Sequence, residues 1–309
     1  RAFSGSLQLT TRNVRAFARK PERPNNIVVS DLHEKVKAKE ESRKKADVPL
    51  GMLKADGTSK RFYKSAEISE ISLTDPRSGS LRRSWAVTLD NRSIRTPSSN
   101  LLTLPTKDLA MAIALEFDAQ DQFILPYTMP LVTLATTALD QMQRPEVREL
   151  AVKGMLRHLG HDLVCLRSSE PDDLKERERS VWGPICDWAE KTYQAKVGSS
   201  ESWLSFSPSE EFLSKVEQDL RARHEWRLAA LDHVSGSTGS LLISLALSHG
   251  AIDGPGAFEA ARLPEDYQVS RWGKIETCGV GGHDLDASDM RARLAAAHVF
   301  HRLLPSDFR

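Results

Sequence analysis

The spacing of apolar and polar residues predicts strands in the first half of the folded chain. Residues 85–89 alternate between the two types, which is the period of a strand with one buried face. A turn signal at residues 75–79 precedes this run, and the Asp-Asn pair at residues 90–91 follows it. Leucines alternate again at residues 102–104 before a proline. The pattern therefore predicts an antiparallel meander.

The hydrophobic period changes to that of an amphipathic helix after Thr106. Thr106 is a favourable N-cap, and Asp108 lies where an acidic side chain meets the positive end of the helix dipole. One face of this predicted helix carries Leu109, Ala112, Ile113, Glu116, Phe117 and Gln120. We expect that face to pack on the meander.

Helical periodicity continues through most of the remaining chain, with Pro145 in a first turn and Gly250 closing the last of these segments. The predicted helical segments are 134–142, 147–159, 173–193, 209–234 and 239–250. The sequence therefore predicts an α+β fold. Residues 61–130 should form an α+β N-terminal domain, and residues 131–309 a mainly α-helical C-terminal domain.

Residues 1–59 differ in composition from the rest of the chain. The first 21 residues contain no acidic side chain and five basic ones, which are Arg1, Arg12, Arg15, Arg19 and Lys20. This composition is typical of a mitochondrial or plastid transit peptide, and a disordered basic arm is the alternative. From Pro21 to about Ser59 the chain is rich in charge and poor in apolar residues, which predicts an extended arm or linker.

Overall composition narrows the possible classes of protein. The 309 residues are 40% hydrophobic and 28% charged with a formal net charge of +1, so nothing points to a nucleic-acid partner. No apolar run approaches the roughly 18 residues that a membrane span requires. Cys165, Cys186 and Cys278 form no CxxC motif and are odd in number. They favour a reducing compartment over a disulfide framework or a zinc site.

Two segments have the residue types of a ligand site without its pattern. His158, His161 and Asp162 have the i, i+3, i+4 spacing of metal ligands, but without further ligands a solvated helix end is the better interpretation. The SGSTGS sequence at residues 235–240 lacks the lysine of a phosphate-binding loop and lies in a helical pattern. Its small residues instead favour close helix packing.

No segment carries a catalytic motif. The GGHDLDASD sequence at residues 281–289 lacks the ligand pattern of a calcium-binding loop, so we expect a surface loop in which Asp286 or Ser288 caps the next helix. The chain also lacks a GxSxG elbow and a Cys/His protease signature. We therefore expect no catalytic residues, no metal and no cofactor.

A mixed set of side chains lies in the C-terminal segment 263–277. Glu265, Gln268, Trp272 and Glu276 fall at i, i+3, i+7 and i+11, so a helix that runs unbroken after Pro264 places them on one face. A solvated face does not require an indole, and a core face does not normally hold two carboxylates, because burying an unpaired charge is costly. This face suits docking onto a neighbouring domain or another protein.

Seven segments of the chain occur in the order in which one known family has them: RFYKSAEI, WAVTLDNRSIRTP, LTLPTKDLAMAIALEFDAQ, TMPLVTLATTALD, HDLVCLRSSEPDDL, VWGPICDWAEKTY and LPEDYQVSRWGKIE. In these segments the chain resembles the mitochondrial assembly chaperones for the ATP synthase α subunit, known as assembly factor 2. The resemblance as a whole runs from about Arg61 to Leu304. Several motifs in one register are far more specific than any single short pattern.

This resemblance implies a non-enzymatic chaperone of the mitochondrial matrix. Family members bind the free α subunit before it joins the β subunit in the catalytic F1 head. The resemblance also places the partner contact in the C-terminal motif, at Glu265, Asp266, Gln268, Trp272, Gly273 and Glu276. Which of the three acidic residues contacts the partner stays open.

Two other functions are compatible with the sequence. The same fold could serve as a permanent structural subunit of a large mitochondrial complex, with residues 1–59 as an extended anchor that orders on its partner. Stoichiometric migration with a mature complex would favour that alternative. A small-molecule enzyme on this scaffold would instead require a deep pocket with perturbed carboxylates.

Overall fold

A computed structural model describes residues 59–74, 81–200, 208–273 and 283–308. All of them belong to one compact unit. The predictions for the arm before Ser59, for the turn at residues 75–79 and for Glu276 lie outside the described residues.

The first part of the described chain forms a four-stranded and a two-stranded antiparallel sheet. The strands are β1 (Ser59–Lys60), β2 (Ala66–Thr74), β3 (Leu81–Leu89), β4 (Arg92–Ser93), β5 (Thr103–Leu104) and β6 (Phe123–Ile124). β3 pairs with β2, β4 and β5, and β1 pairs separately with β6. β2 and β3 pair along their full length, from Ala66 opposite Leu89 to Thr74 opposite Leu81. The predicted meander is confirmed.

The turn between β3 and β4 is built by Asp90 and Asn91. Both have positive φ, 47° and 65°, which Asp and Asn tolerate better than other non-glycine residues and which a tight hairpin requires. The Asp90 carboxylate also accepts hydrogen bonds from the backbone N–H groups of Ser65 and Lys64, and these bonds lower its pKa. One side chain thus fixes both the turn and the start of β2.

The remaining described chain is helical apart from its connections. The helices are α1 (Lys107–Asp118), α2 (Pro130–Asp140), α3 (Pro145–Leu159), α4 (Asp172–Tyr193), α5 (Glu210–Ala222), α6 (Glu225–Thr238), α7 (Leu241–Ser248), α8 (Gly254–Trp272) and α9 (His283–Leu303). Short 3-10 helices occur at Pro126–Thr128 and Leu163–Cys165. A sheet followed by helices confirms the predicted α+β class.

Helix α1 packs on the sheet as its sequence predicts. The Thr106 hydroxyl accepts the N–H of Leu109 at 3.2 Å and caps the helix. Leu109, Ile113 and Phe117 are fully buried, and α1 contacts β2 and β3. The predicted stripe is the one that faces the core.

One continuous hydrophobic core runs from the sheet into the helices. At its centre lies α6, which contacts α2, α3, α7 and α9 and is buried on almost every side. The predicted boundary near residue 130 coincides with the start of α2, and buried side chains on both sides of it belong to the same cluster.

Two local predictions are wrong. The segment 209–234 is two helices, because Arg223 and His224 have extended backbone. The Arg223 guanidinium binds Asp219 at 2.7 Å, and the His224 ring stacks on Phe308 at 3.7 Å. The first contact is local, one turn apart at the end of α5, whereas the second is tertiary and favours the break. No Gly or Pro marks this break in the sequence.

Asp286 and Ser288 do not cap α9, because that helix begins earlier, at His283. An acidic residue is favourable both at the cap and in the first turn, since the helix dipole acts over the whole first turn. Sequence alone therefore placed the start of the helix too late.

A buried carboxylate joins α1 to α2 and predicts a pH dependence of stability. Glu116 accepts the N–H groups of Leu131 at 2.8 Å and Val132 at 2.9 Å. Burial outweighs these two bonds and raises the pKa of Glu116 from 4.5 to about 7. The folded state therefore holds this proton more tightly than the unfolded state. The contribution to stability is complete below about pH 4.5 and is lost as the pH rises through 7.

We expect Glu116→Gln to remove this part of the pH dependence. The full shift corresponds to about 3 kcal/mol between pH 4.5 and pH 8. Urea unfolding of both proteins across this range measures it. Glu176→Gln, at an exposed position of α4, is the control and should keep the wild-type slope. Parallel pH profiles for wild type and Glu116→Gln would contradict the assignment.

Candidate partner-binding site

The predicted contact face lies on the C-terminal half of α8. The helix starts after Asp253, whose carboxylate accepts the N–H of Gly256 at 2.8 Å, and it continues without interruption through Pro264 to Trp272. Glu265, Gln268 and Trp272 therefore share one helical face by their spacing. Their role in partner binding stays a prediction.

The helix tolerates Pro264 because another helix supplies the hydrogen bond that a proline cannot donate. Pro264 has no N–H, so the carbonyl of Ala260, one turn earlier, lacks its normal helical donor. The indole N–H of Trp182 in α4 donates to this carbonyl at 2.8 Å. Trp182 is 1% exposed, so the bond is buried and shielded from water. This contact keeps the helix in one piece before the candidate site.

One arginine engages two carboxylates of the predicted contact motif, Glu265 and Asp266. The Arg262 side chain is 5% exposed, and it lies 2.7 Å from Glu265 and 3.3 Å from Asp266, whose side chains are 33% and 42% exposed. The three side chains carry a net charge of −1. Arg262 thus holds two partly exposed acidic groups in place on this part of the helix.

The last turn of α8 is anchored to α4 by a three-residue network. The Tyr267 hydroxyl donates to Asp173 at 2.9 Å, and the Arg271 guanidinium binds the other oxygen of Asp173, also at 2.9 Å. Arg271 also donates to the Tyr267 oxygen at 3.0 Å. The hydrogen bond from Tyr267 is the main cause of the lowered pKa of Asp173. These contacts hold the end of α8 in a fixed orientation.

Trp272 and Gly273 form the tip of the site. The Trp272 side chain is 79% exposed, and Gln268 beside it is also exposed. Gly273 has φ +80° and its N–H donates to the Val269 carbonyl at 2.9 Å, which ends the helix in a conformation that side chains rarely adopt. An exposed indole beside oriented carboxylates has the composition of a protein-binding hot spot.

The exposure of Trp272 sets it apart from the other described tryptophans. Trp182 and Trp226 are buried, and Trp85 and Trp188 are partly buried. Tryptophan at helical spacing usually packs in the core, but the spacing does not reveal which tryptophan lies in solvent.

Helix α1 carries a second apolar surface, which its sequence pattern did not predict. Met111 and Leu115 are 46% and 63% exposed, and their i, i+4 spacing makes them neighbours on the helix surface. They lie off the buried stripe that was predicted for this helix. Apolar residues at helical spacing outside a predicted core stripe are the signal that would have found them.

The prediction of a solvated helix end at residues 158–162 is wrong for one residue. His158 and His161 are exposed, but Asp162 is completely buried. Its carboxylate accepts hydrogen bonds from the Ser240 hydroxyl at 2.6 Å and the Leu242 N–H at 3.0 Å, at the start of α7. A buried carboxylate is thus satisfied by a helix N-terminus that is distant in sequence. Gly239, with φ +67°, and Ser240 form the turn that the SGSTGS segment encodes.

The described residues give little support to a metal or small-molecule site. They contain no group of three side chains suited to hold a metal ion. A cavity of about 350 Å³ lies beside Asp140, but the Asp140 carboxylate already accepts bonds from Thr96, Ser98 and Asn100. None of the described helices has the length and apolar character to cross a bilayer.

Comparison with known proteins identifies relatives of this chain. Residues 60–190 match the model of the ATP12 chaperone protein family. The solved structure of Atp12 from Paracoccus denitrificans matches with 28% identity and a TM-score of 0.67, over 79% of this chain and 98% of that one. A point mutant of the same protein matches equally well, over 97% of its length.

A further structure extends the comparison to a second bacterium. The Atu1473 protein of Agrobacterium tumefaciens matches with 26% identity and a TM-score of 0.69, over 81% of this chain and 87% of that one. These alignments cover nearly the whole length of each relative. The similarity therefore includes the helical part of the chain as well as the sheet.

Proposed function

Because the chain belongs to the ATP12 chaperone family, we propose that it binds the unassembled α subunit of the ATP synthase and delivers it to the forming F1 head. The observation that carries this proposal is the match of residues 60–190 to the family, joined to a common fold over nearly the full length of Atp12 from P. denitrificans. The role is one of protein binding, and it requires no chemical reaction.

The physical basis of such a role is the protection of an exposed interface. A free α subunit presents the surface that later contacts β, and an apolar surface of interface size promotes aggregation. A chaperone that covers this surface stabilises the free subunit by mass action. It must bind α more weakly than β does, so that β displaces it.

We propose that the α subunit contacts the exposed end of α8. Trp272 supplies an exposed aromatic anchor, and Arg262 holds the partly exposed carboxylates of Glu265 and Asp266 in place. Gly273 ends the helix directly after the indole. Gln268 adds a neutral donor and acceptor beside the anchor.

We further propose that the protein acts in the mitochondrial matrix. The first 21 residues, with five basic and no acidic side chains, support this location. Import of the radiolabelled full chain into isolated mitochondria, followed by protease protection and separation of matrix from membranes, tests it. A chain that stays accessible to protease would contradict the proposal.

The central test is capture of the α subunit by the purified full-length chain. We expect stoichiometric capture of free α subunit, loss of the complex when β subunit is added, and no capture of assembled F1. Binding to mature F1 or to another large complex at a fixed stoichiometry would instead support the permanent structural subunit. Failure to bind free α subunit would refute the chaperone assignment.

A further inference from the structure

Two cysteines that are distant in sequence meet in the fold. Cys165 ends the 3-10 helix Leu163–Cys165, and Cys186 lies in the middle of α4. Their thiols are hydrogen-bonded to each other. Cys165 is fully buried, whereas Cys186 is partly exposed. The spacing of the two residues gave no sign of this pair, because it is created by packing of the 3-10 helix on α4.

An arginine is held next to the accessible thiol. One terminal nitrogen of Arg167 lies 3.5 Å from the Cys186 sulfur, and the other donates to the Glu178 carbonyl at 2.9 Å. The guanidinium also lies over the Trp182 ring, 5.4 Å from its centre. These two additional contacts fix the cation beside Cys186.

The two thiols have different acidities in this arrangement. The hydrogen bond from Cys165 lowers the pKa of Cys186, and the positive charge of Arg167 lowers it further. Donating that hydrogen bond and being buried both raise the pKa of Cys165. Cys186 is thus the thiol that ionises and is also the one that solvent reaches.

We propose that Cys165 and Cys186 are an oxidative modification site, which a peroxide converts to an internal disulfide. The ionised sulfur of Cys186 attacks one oxygen of hydrogen peroxide, and the O–O bond breaks to give a sulfenic acid and a hydroxide ion. The hydroxide takes up the proton that the Cys186 thiol released on ionising and becomes water. The Cys165 sulfur then attacks the sulfenic sulfur. The S–S bond forms, the S–O bond breaks, and the hydroxide leaves as water with the Cys165 proton. Two thiols and one peroxide give one disulfide and two waters.

The geometry suits this reaction because the 3-10 helix packs on α4 and brings the two thiols into direct interaction, so the sulfurs can form an S–S bond without rearrangement of the fold. The disulfide would link the 3-10 helix to α4 and close the segment between them, which includes Arg167 and Glu178. Closing such a loop restricts the unfolded chain, so oxidation should stabilise the fold. This site makes no use of the proposed contact face on α8 and is independent of the α-subunit assignment.

The test uses the full chain with Cys278→Ser, which leaves these two cysteines alone. After treatment with hydrogen peroxide, non-reducing peptide mapping by mass spectrometry should find one cross-linked pair, Cys165 with Cys186, that dithiothreitol reverses. The oxidised protein should show a melting temperature higher by about 5 °C. Absence of the cross-link, or a cross-link only between two chains, overturns the proposal.

Two variants test the order of the steps. With Cys165→Ser the reaction should stop at the sulfenic acid of Cys186, which dimedone labels. With Arg167→Met the oxidation of Cys186 at neutral pH should slow several-fold, provided that circular dichroism shows a native fold. Dimedone should label Cys186 in Cys165→Ser faster than it labels Cys165 in Cys186→Ser. Equal labelling rates in the two variants would refute the assignment of Cys186 as the attacking thiol. An unchanged rate in Arg167→Met would remove Arg167 from the site.

Discussion

Replacing Trp182 by alanine is expected to lower the free energy of unfolding by about 4 kcal/mol. Truncating a fully buried aromatic side chain typically costs about 3–5 kcal/mol, through lost burial and the cavity that it leaves. Trp182 is 1% exposed, and its indole also donates to the Ala260 carbonyl beside Pro264. Chemical denaturation of the wild type and of Trp182→Ala measures the difference.

The hydrogen bond can be separated from the packing by a double-mutant cycle. Trp182→Phe keeps an aromatic ring but leaves the Ala260 carbonyl without its donor, and this should cost about 1–2 kcal/mol beyond the lost area. Pro264→Ala supplies a backbone N–H that can donate to the same carbonyl. Trp182→Phe should therefore cost about 1 kcal/mol less in the Pro264→Ala background than in the wild type.

The matched control for this cycle is Trp188→Phe on the same helix. Trp188 packs against His249, so the change in the free energy of unfolding that Trp188→Phe causes should simply add to the change that Pro264→Ala causes. If the effects of Trp182→Phe and Pro264→Ala on the free energy of unfolding are also additive, the indole does not replace the missing helical hydrogen bond.

The case of Pro264 shows how far the sequence predicts the structure of the site. Period and spacing correctly identified the helix and the common face of Glu265, Gln268 and Trp272. They could not decide whether Pro264 breaks the helix, because the donor that replaces its N–H comes from Trp182, 82 residues earlier. Local rules describe local hydrogen bonds, and this one is tertiary.

Buried polar residues show the same limit. Asp162 looked like part of a solvated helix end, but it caps α7 and is completely buried. The sequence analysis did not identify Arg262, yet this residue holds the carboxylates of Glu265 and Asp266 in the candidate site. The burial of apolar side chains can be predicted from their spacing along a helix or strand. The burial of a charged side chain depends on the group that pairs with it in the fold.

The strands and the first helix were the most predictable elements. The turn at Asp90 and Asn91, the Thr106 cap and the buried face of α1 all follow from short-range rules. The break at Arg223 does not, because the contact of His224 with Phe308 joins residues far apart in the chain. Solvent exposure also depends on tertiary packing, so only the structure distinguishes the exposed Trp272 from the buried tryptophans.

Trp272→Ala is expected to weaken binding of the free α subunit by about 30-fold, or about 2 kcal/mol. A side chain that is 79% exposed in the free protein contributes little to the fold, so its truncation should leave the free energy of unfolding nearly unchanged. On a partner, the same indole would bury its area against the complementary surface. Isothermal titration of purified α subunit with wild type and variant measures the two affinities.

The control is Leu150→Ala, which truncates another exposed apolar side chain, 68% exposed, on α3. It removes apolar surface outside the proposed contact, so the affinity for α subunit should stay within about twofold of wild type. Equal affinities for wild type and Trp272→Ala would exclude the end of α8 as the contact. In that case the exposed pair Met111 and Leu115 on α1 becomes the next surface to test, with Met111→Ala and Leu115→Ala in the same titration. Loss of affinity in all of these variants, Leu150→Ala included, would instead indicate a broad contact without a dominant anchor.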